Sequence, residues 1–235
     1  MLYYEHMVFY GFIYALLTGL LPSLIWLWFW LREDKNPEPR PLLAALFVVG
    51  GLSVFAAWVA EQYVAAHVPN ITSQYIWWAI IEEVLKFAVV AGIALHAESN
   101  DEPIDPMIYF ITVALGFAAL ENTLFVLDPF LKGNVIAGLS TGNLRFLGAT
   151  LVHAVSSASV GFMLGLSFYR SRISKFLAGI IGLAGACALH AAFNLSIING
   201  GSADTLRAFA WIWGAVVIMI ILFEEVKSVK RKKID

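Results

Sequence analysis

The segment at residues 72–95 reads TSQYIWWAIIEEVLKFAVVAGIAL, an apolar run interrupted in its middle by Glu82, Glu83 and Lys86. Its length suffices to cross a hydrocarbon core about 30 Å thick, which takes about 20 residues of α-helix. An ionisable side chain near the bilayer centre costs about 2.5 to 3.5 kcal/mol on insertion scales. We therefore expect a membrane-spanning helix whose charged residues have partners on other helices or a chemical role.

The rest of the chain has the composition of a membrane protein. It is 60% apolar and 14% charged, whereas a soluble domain is about half apolar and about a quarter charged. The alternation typical of β-barrels is absent, so helices must satisfy the backbone in lipid. We predict an all-α, polytopic transmembrane helix bundle that forms a single integral membrane domain over residues 1–235. Its seven predicted spans are residues 8–31, 42–66, 72–95, 105–127, 143–169, 174–198 and 205–223.

Basic residues predict the orientation of the bundle. Lysine and arginine cluster in residues 32–40, in residues 170–175 and in the tail at residues 224–235, which follow the first, fifth and seventh predicted spans. These three sites share one face of a seven-span bundle, so the positive-inside rule predicts an extracytoplasmic N-terminus and a cytoplasmic tail. The tail lacks interleaved aromatic residues, which argues against a nucleic-acid partner. Its expected partner is the lipid bilayer.

Polar side chains also occur inside the other predicted spans. They are Glu61, Glu121, His153, His190 and Asn194. Counted from the outer span ends, Glu82, Glu121, His153 and His190 are about six to ten residues deep, which at a rise of 1.5 Å per residue is one slab about 6 Å thick. These groups can therefore meet, slightly to the outer side of the midplane. Glu61 has no motif around it, and for it we favour a helix-packing or access role.

Spacing places the polar residues of each helix on one face. Residues three or four apart are neighbours on a helix surface. Polar residues at this spacing therefore form one polar face, which each helix presents to a common interior. The sets are Glu82 with Lys86, His190 with Asn194, and Arg145 with Ala149, His153 and Ser157.

Two histidines and nearby carboxylates on separate helices match the composition of a catalytic zinc site, which has three protein ligands, one open position for water and a glutamate base. Without a metal, a glutamate could still activate water while a histidine and Asn194 stabilise an oxyanion. Both routes lead to hydrolysis. The chain has no serine nucleophile elbow, glycine-rich phosphate loop or His-Glu-x-x-His motif, which argues against phosphoryl transfer and soluble-type proteolysis.

Ordered motifs extend along the middle half of the chain, with a core at about residues 72–198. They are Glu82-Glu83-Val84-Leu85-Lys86, Pro103-Ile104-Asp105-Pro106 with Tyr109, Gly116-Phe117-Ala118-Ala119-Leu120-Glu121-Asn122, Arg145 with His153 and Gly161, and His190-Ala191-Ala192-Phe193-Asn194. The set resembles the PrsW family of intramembrane proteases, which are related to type II CAAX prenyl endopeptidases and to bacteriocin-immunity membrane proteins. In the prenyl endopeptidase branch a histidine stands where this chain has Glu121, and an arginine where it has Lys86. These departures favour PrsW.

The resemblance implies cleavage of a membrane-anchored protein, such as an anti-sigma factor, near the extracytoplasmic face of a prokaryotic cell membrane. It also implies catalytic importance for the paired glutamates, Glu121 and both histidines. Our leading hypothesis is an intramembrane endopeptidase that acts on a single-span membrane protein and uses zinc or another divalent metal. The assigned roles are metal ligation by Glu121, His153 and His190, base catalysis by Glu82 or Glu83, orientation of substrate or oxyanion by Asn194 and Arg145, and support by Lys86, Phe117 and Asn122.

Three other classes would use the same residues differently. A proton-coupled transporter or channel would use the glutamates and histidines as a relay. A b-type haem protein would use His153 and His190 as axial ligands. A membrane scaffold or immunity protein would keep the fold without catalysis.

Overall fold

A computed structural model of the chain describes residues 2–198 and 202–230, without the side chains of residues 2–8, 146, 147, 202 and 203. The residues in these two ranges form helices and connecting turns, with no β-strand, so the predicted all-α class is confirmed. The end of the predicted basic tail, residues 231–235, lies outside the described residues. The helices are α1 (Leu2–Leu31), α2 (Arg40–His67), α3 (Ile71–Ile93), α4 (Asp105–Leu131), α5 (Val135–Leu144), α6 (Thr150–Leu166), α7 (Arg172–Ile198) and α8 (Ser202–Lys227), and a π-helical turn (Arg145–Ala149) joins α5 to α6.

The helices begin where the sequence supplies capping residues and prolines. Asn70 caps α3 through a hydrogen bond from the Ser73 backbone N–H at 3.0 Å. Asn134 caps α5 in the same way, with Ala137 as the donor. These side chains satisfy backbone N–H groups that have no partner within the helix. Each asparagine therefore stabilises the first turn of the helix that follows it.

Helix α4 is the centre of the bundle. It packs against α1, α2 and α6, and residues 105–119 are all buried. Glycines permit this close packing, because a Cβ added to Gly161 on α6 would lie 2.5 Å from the Cα of Met107 on α4. A Cβ on Gly116 of α4 would run into the Phe47 carbonyl oxygen of α2. The first half of α4 is thus held between two helices by backbone-to-backbone contact.

Within the described residues, five helices have the length and apolar composition to cross a membrane, namely Phe9–Leu31, Arg40–His67, Asp105–Leu131, Arg172–Ile198 and Asp204–Lys227. The predicted spans at residues 72–95 and 143–169 correspond to α3 and to the helical segment that continues through the π-helical turn into α6. Helix α3 carries ionisable side chains in its middle, and α6 is short because the π-helical turn precedes it. The seven-span count and the orientation stay predictions.

We expect Gly116→Ala to destabilise the bundle, because the new methyl group would force α2 away from α4. Overpacking of this kind costs about 1 to 3 kcal/mol. The matched control is Gly92→Ala on α3, where an added Cβ has no heavy atom within 4 Å. The free energy of unfolding in detergent micelles, followed by circular dichroism, measures both variants. Equal stabilities of the two variants would contradict the tight α2–α4 contact.

Candidate active site

The structure brings six of the sequence-predicted residues together inside the bundle. Glu82, Glu83 and Lys86 come from α3, Glu121 from α4, His153 from α6 and His190 from α7. The α3 residues and both histidines are almost wholly buried. Four helices that are distant in sequence therefore converge on one polar cluster, which we call the Glu/His cluster.

The Lys86 ammonium lies at the centre of the Glu/His cluster. Its Nζ is 2.8 Å from Glu83 Oε1, 3.4 Å from Glu82 Oε2 and 2.8 Å from His153 Nδ1. It also lies 4.3 Å from the ring centroid of Phe117. Two carboxylates buried side by side repel each other strongly, and the ammonium between them offsets that repulsion.

A carboxylate holds each histidine through one ring nitrogen. His190 Nδ1 lies 2.8 Å from Glu83 Oε1, and His153 Nε2 lies 3.0 Å from Glu121 Oε2. An ionised carboxylate only accepts hydrogen bonds, so these two ring nitrogens carry the protons. The other nitrogens, Nε2 of His190 and Nδ1 of His153, consequently carry lone pairs, and that of His153 accepts a hydrogen bond from the Lys86 ammonium. Glu83 is itself fixed, because Ser157 Oγ donates to its second oxygen at 2.7 Å.

Both lone-pair nitrogens face the carboxylate of Glu82. Its Oε2 lies 3.6 Å from His153 Nδ1 and 3.8 Å from His190 Nε2. Donor atoms of these three residues all lie within 4.8 Å of one another. Tetrahedral zinc with bonds of about 2.0 to 2.2 Å places its ligand atoms roughly 3.4 Å apart. The donor set therefore fits a divalent metal of the zinc type, whose binding would draw the three ligand atoms closer together.

The surroundings of Glu82, His153 and His190 also fit a metal. Metal-binding histidines usually donate their second N–H group to a carboxylate that fixes the ring, which is the relation that both histidines have here. With neutral imidazoles, the carboxylates of the Glu/His cluster outnumber the cations of Lys86 and the neighbouring Arg145. A bound cation would compensate the excess negative charge.

The candidate metal-binding group in the structure contains Glu82 with both histidines. The sequence predicts Glu121 as the third ligand, and that assignment stays a prediction. Glu121 touches only the Nε2 side of His153, away from the Nδ1 lone pair that faces Glu82. Sequence spacing indicates which residues share a helix face, but it does not indicate which ring nitrogen a carboxylate contacts.

Arg145 and Glu121 form the part-exposed rim of the Glu/His cluster. They make an ion pair, and their side chains are 18% and 17% exposed. Arg145 Nε donates to Asn122 Oδ1 at 2.5 Å, and Asn122 Nδ2 donates to Thr150 Oγ1 at 2.9 Å. The guanidinium carbon also lies 4.1 Å from the ring centroid of Phe125. Arg145 opens the π-helical turn, a feature that occurs frequently at functional sites.

The other predicted positions lie around the Glu/His cluster in different ways. Phe117 contacts the cluster, with its ring centroid 5.5 Å from that of His153. Asn194 follows His190 by one turn and is half-buried, and it makes no side-chain hydrogen bond within the described ranges. Thr150 and Phe125 were not singled out from the sequence, because a threonine or phenylalanine in an apolar helix carries no distinctive signal.

The histidine geometry does not suit a haem. The two imidazole rings meet edge to face with centroids 4.9 Å apart. Axial ligands bind a haem iron from opposite faces of the macrocycle, whereas these rings touch each other.

The apolar helices and the buried carboxylate–imidazole group together define an integral membrane protein with a candidate hydrolytic centre. The family model described as PrsW family intramembrane metalloprotease matches residues 38–224. The chain therefore belongs to the PrsW family, which supports an intramembrane protease in a prokaryotic membrane and confirms the resemblance found in the motifs.

Curated relatives of similar length carry the name Protease PrsW. The protein of Geobacillus kaustophilus is 26% identical over 223 residues, which cover 92% of this chain and 91% of the relative. The protein of Oceanobacillus iheyensis is 27% identical over 196 residues, 80% of this chain and 85% of the relative. That of Bacillus subtilis is 25% identical over 212 residues, 88% of this chain and 89% of the relative. No solved structure matches the chain.

We expect Lys86→Met to destabilise the fold by about 3 to 5 kcal/mol, because it leaves buried carboxylates without their counter-charge. The matched control is Lys132→Met, which removes an exposed lysine that pairs with Asp128 at 2.7 Å with the same i,i+4 spacing as Lys86 and Glu82. An exposed pair of this kind contributes less than about 1 kcal/mol. Denaturation in detergent micelles measures the free energy of unfolding of both variants. A similar loss of stability in the two would contradict the central position of Lys86.

Proposed function

We propose that the chain is a metal-dependent endopeptidase that hydrolyses a peptide bond of a membrane-anchored protein. The observation that carries this proposal is the convergence of His153 Nδ1, His190 Nε2 and the Glu82 carboxylate, whose donor atoms lie within 4.8 Å of one another. A hydrolytic metal site with two histidines and one glutamate is an established type. Membership of a protease family makes a peptide bond the expected target.

Glu82, His153 and His190 are the residues that would hold the metal. When bound, a zinc ion lowers the pKa of water to about 7 and polarises a carbonyl group. Lys86 Nζ lies 2.8 Å from His153 Nδ1, so the ammonium and a metal would compete for the same lone pair. We therefore propose that the flexible lysine keeps its bond to Glu83 and releases His153 when a metal binds.

Glu121 is the candidate base in this arrangement. Its Oε2 accepts from both His153 and Arg145, which leaves Oε1 without a hydrogen bond to the described residues. The side chain is also part-exposed at the rim, where water and a substrate can reach it. Glu121 Oε1 would accept a proton from a water that lies between the rim and the three candidate ligands. Glu83 suits the role less, because His190, Lys86 and Ser157 occupy both of its oxygens.

Arg145 is the candidate group for stabilising negative charge on the substrate. Its guanidinium lies beside Glu121 at the rim, and Asn122 and Phe125 hold it in place. A fixed donor directed at the oxygen on which charge develops lowers the barrier of acyl transfer. Asn194, one turn beyond His190, is a second candidate for this role.

The position of the Glu/His cluster supports one side of the membrane for the proposed reaction. The rim residue Glu121 lies nearer the end of α4 that the predicted orientation places outside. We therefore propose cleavage of a single-span protein, such as an anti-sigma factor, near the extracytoplasmic face of a prokaryotic cell membrane. The predicted topology and the resemblance to PrsW support this side.

Metal content distinguishes the two ligand assignments. We expect the purified chain, loaded with zinc and desalted, to retain about one ion. Glu82→Gln, His153→Ala and His190→Ala should each lose it, because each removes a ligand, whereas Glu121→Gln should retain it. Elemental analysis measures the ion directly and does not depend on activity. Retention by Glu82→Gln with loss by Glu121→Gln would instead support Glu121 as the third ligand.

Co-expression with candidate single-span proteins tests the reaction. Glu82→Ala, Glu121→Ala and His153→Ala should each reduce cleavage at least about a hundredfold, because each removes a group that would bind the metal, accept a proton or fix a ligand. Mass spectrometry of the fragments measures cleavage and locates the scissile bond. Equal cleavage by wild type and all three variants would contradict the site. Cleavage by metal-free protein in the presence of chelator would exclude the metal from the mechanism. Water activated by a glutamate would then remain as the nucleophile.

A further inference from the structure

Glu61 belongs to the buried face of α2. It lies on one helical stripe with Val54, Ala57 and Val64, and those three neighbours are all buried. Residues at these spacings project from the same side of a helix. The Glu61 side chain is only half-buried. It therefore projects toward the neighbouring helices and still reaches the surface.

The helices that surround Glu61 carry the Glu/His cluster. Ala57 packs in one apolar cluster with Phe117 of α4, and α2 and α4 run in the same direction. One helical turn, about 5.4 Å, leads from Ala57 to Glu61 and from Phe117 to Glu121. The Glu61 carboxylate accordingly interacts electrostatically with Glu121 and Lys86.

Helix α3 also fixes the depth of Glu61. The Trp78 indole N–H of α3 donates to the Glu61 backbone carbonyl at 3.3 Å, and Glu82 follows Trp78 by one turn. Glu61 thus lies about one turn from the buried carboxylates, toward the joint between α2 and α3. This places it at the rim of the Glu/His cluster beside Glu121.

Glu61 differs from the other carboxylates of the site in its partners. Glu82 and Glu83 pair with Lys86, and Glu121 pairs with Arg145. Within the described ranges, Glu61 forms no ion pair. A carboxylate inside a membrane span without a counter-charge is costly. The rim therefore contains a carboxylate whose ionised form would be stabilised by a cation that a ligand brings, on a part-exposed surface that leads to the Glu/His cluster.

We propose that Glu61 is a binding subsite for a basic side chain, lysine or arginine, of the polypeptide that enters the site. The substrate would supply the cation that Glu61 lacks, and the ion pair would position the chain beside Glu121. This proposal rests on the proposed function for the identity of its ligand. Binding of the ligand does not require cleavage, so the two can be tested separately.

The test uses fluorescein-labelled single-span peptides that differ only in one juxtamembrane residue, which is lysine, glutamine or glutamate. Fluorescence anisotropy measures their affinity for the full-length chain in detergent micelles. We expect wild type to bind the lysine peptide roughly fivefold more tightly than the glutamine peptide, as a part-exposed ion pair permits. Glu61→Gln should abolish this preference, and Glu61→Lys should transfer it to the glutamate peptide.

The matched control is Glu98→Gln, which removes the same charge from an exposed position beyond the opposite end of α3. It should bind all three peptides as wild type does. Equal lysine-over-glutamine preference in wild type and Glu61→Gln would overturn the subsite, as would the absence of any preference in wild type. If the preference follows Glu61 but no peptide is cleaved, the subsite stands and the proposed protease reaction fails.

Discussion

The structure depends on the compensation of charge inside a low-dielectric interior. Glu82 and Glu83 are adjacent on α3 and almost wholly buried, and the Lys86 ammonium one turn further along stands between them. Without it the two carboxylates would repel each other with no water to screen them. The helices around α3 must supply hydrogen-bond partners as well. His190 of α7 and Ser157 of α6 do so for Glu83, which ties three helices to one carboxylate.

The same requirement fixes the chemistry of the histidines. Each imidazole gives one N–H group to a carboxylate and keeps one lone pair, so the carboxylates determine which nitrogen can bind a cation. Glu83 and Glu121 act on opposite ring positions of His190 and His153. The two lone pairs consequently face Glu82. Pairs that stabilise buried charge thus also orient the candidate ligands, which links the packing of the bundle to its proposed reaction.

Much of the Glu/His cluster could be predicted from the sequence, because charged residues stand out in apolar helices. The helical class and the convergence of the glutamates and histidines follow from that contrast and from helical depth. The π-helical turn before α6 could not be predicted, since its residues Arg145–Ala149 have ordinary helix composition. The third ligand was also assigned differently, because Glu82 and Glu121 lie at similar depths. Only the side-chain geometry shows that Glu121 contacts the far nitrogen of His153.

Glu61 is another residue whose contacts could not be predicted from the sequence pattern. Its sequence context has no motif, so the sequence favours only a helix-packing or access role. Its place beside Glu121 depends on α2 and α4 running in parallel with Ala57 against Phe117, and the close contact of Gly50 and Gly51 of α2 with α4 permits that packing. Contacts between helices that are distant in sequence depend on how side chains pack at each crossing. The spacing of apolar residues along either helix does not predict them.

Nitrogen-15 NMR of histidine-labelled protein tests the central claim most directly. In a variant with His6, His67 and His96 replaced by glutamine, the signals of His153 and His190 can be observed alone. We predict opposite tautomers, with the proton on Nε2 of His153 and on Nδ1 of His190, and a shift of the remaining two nitrogens on addition of zinc. Identical tautomers in the two rings, or nitrogen signals that zinc leaves unchanged, would contradict the proposed centre.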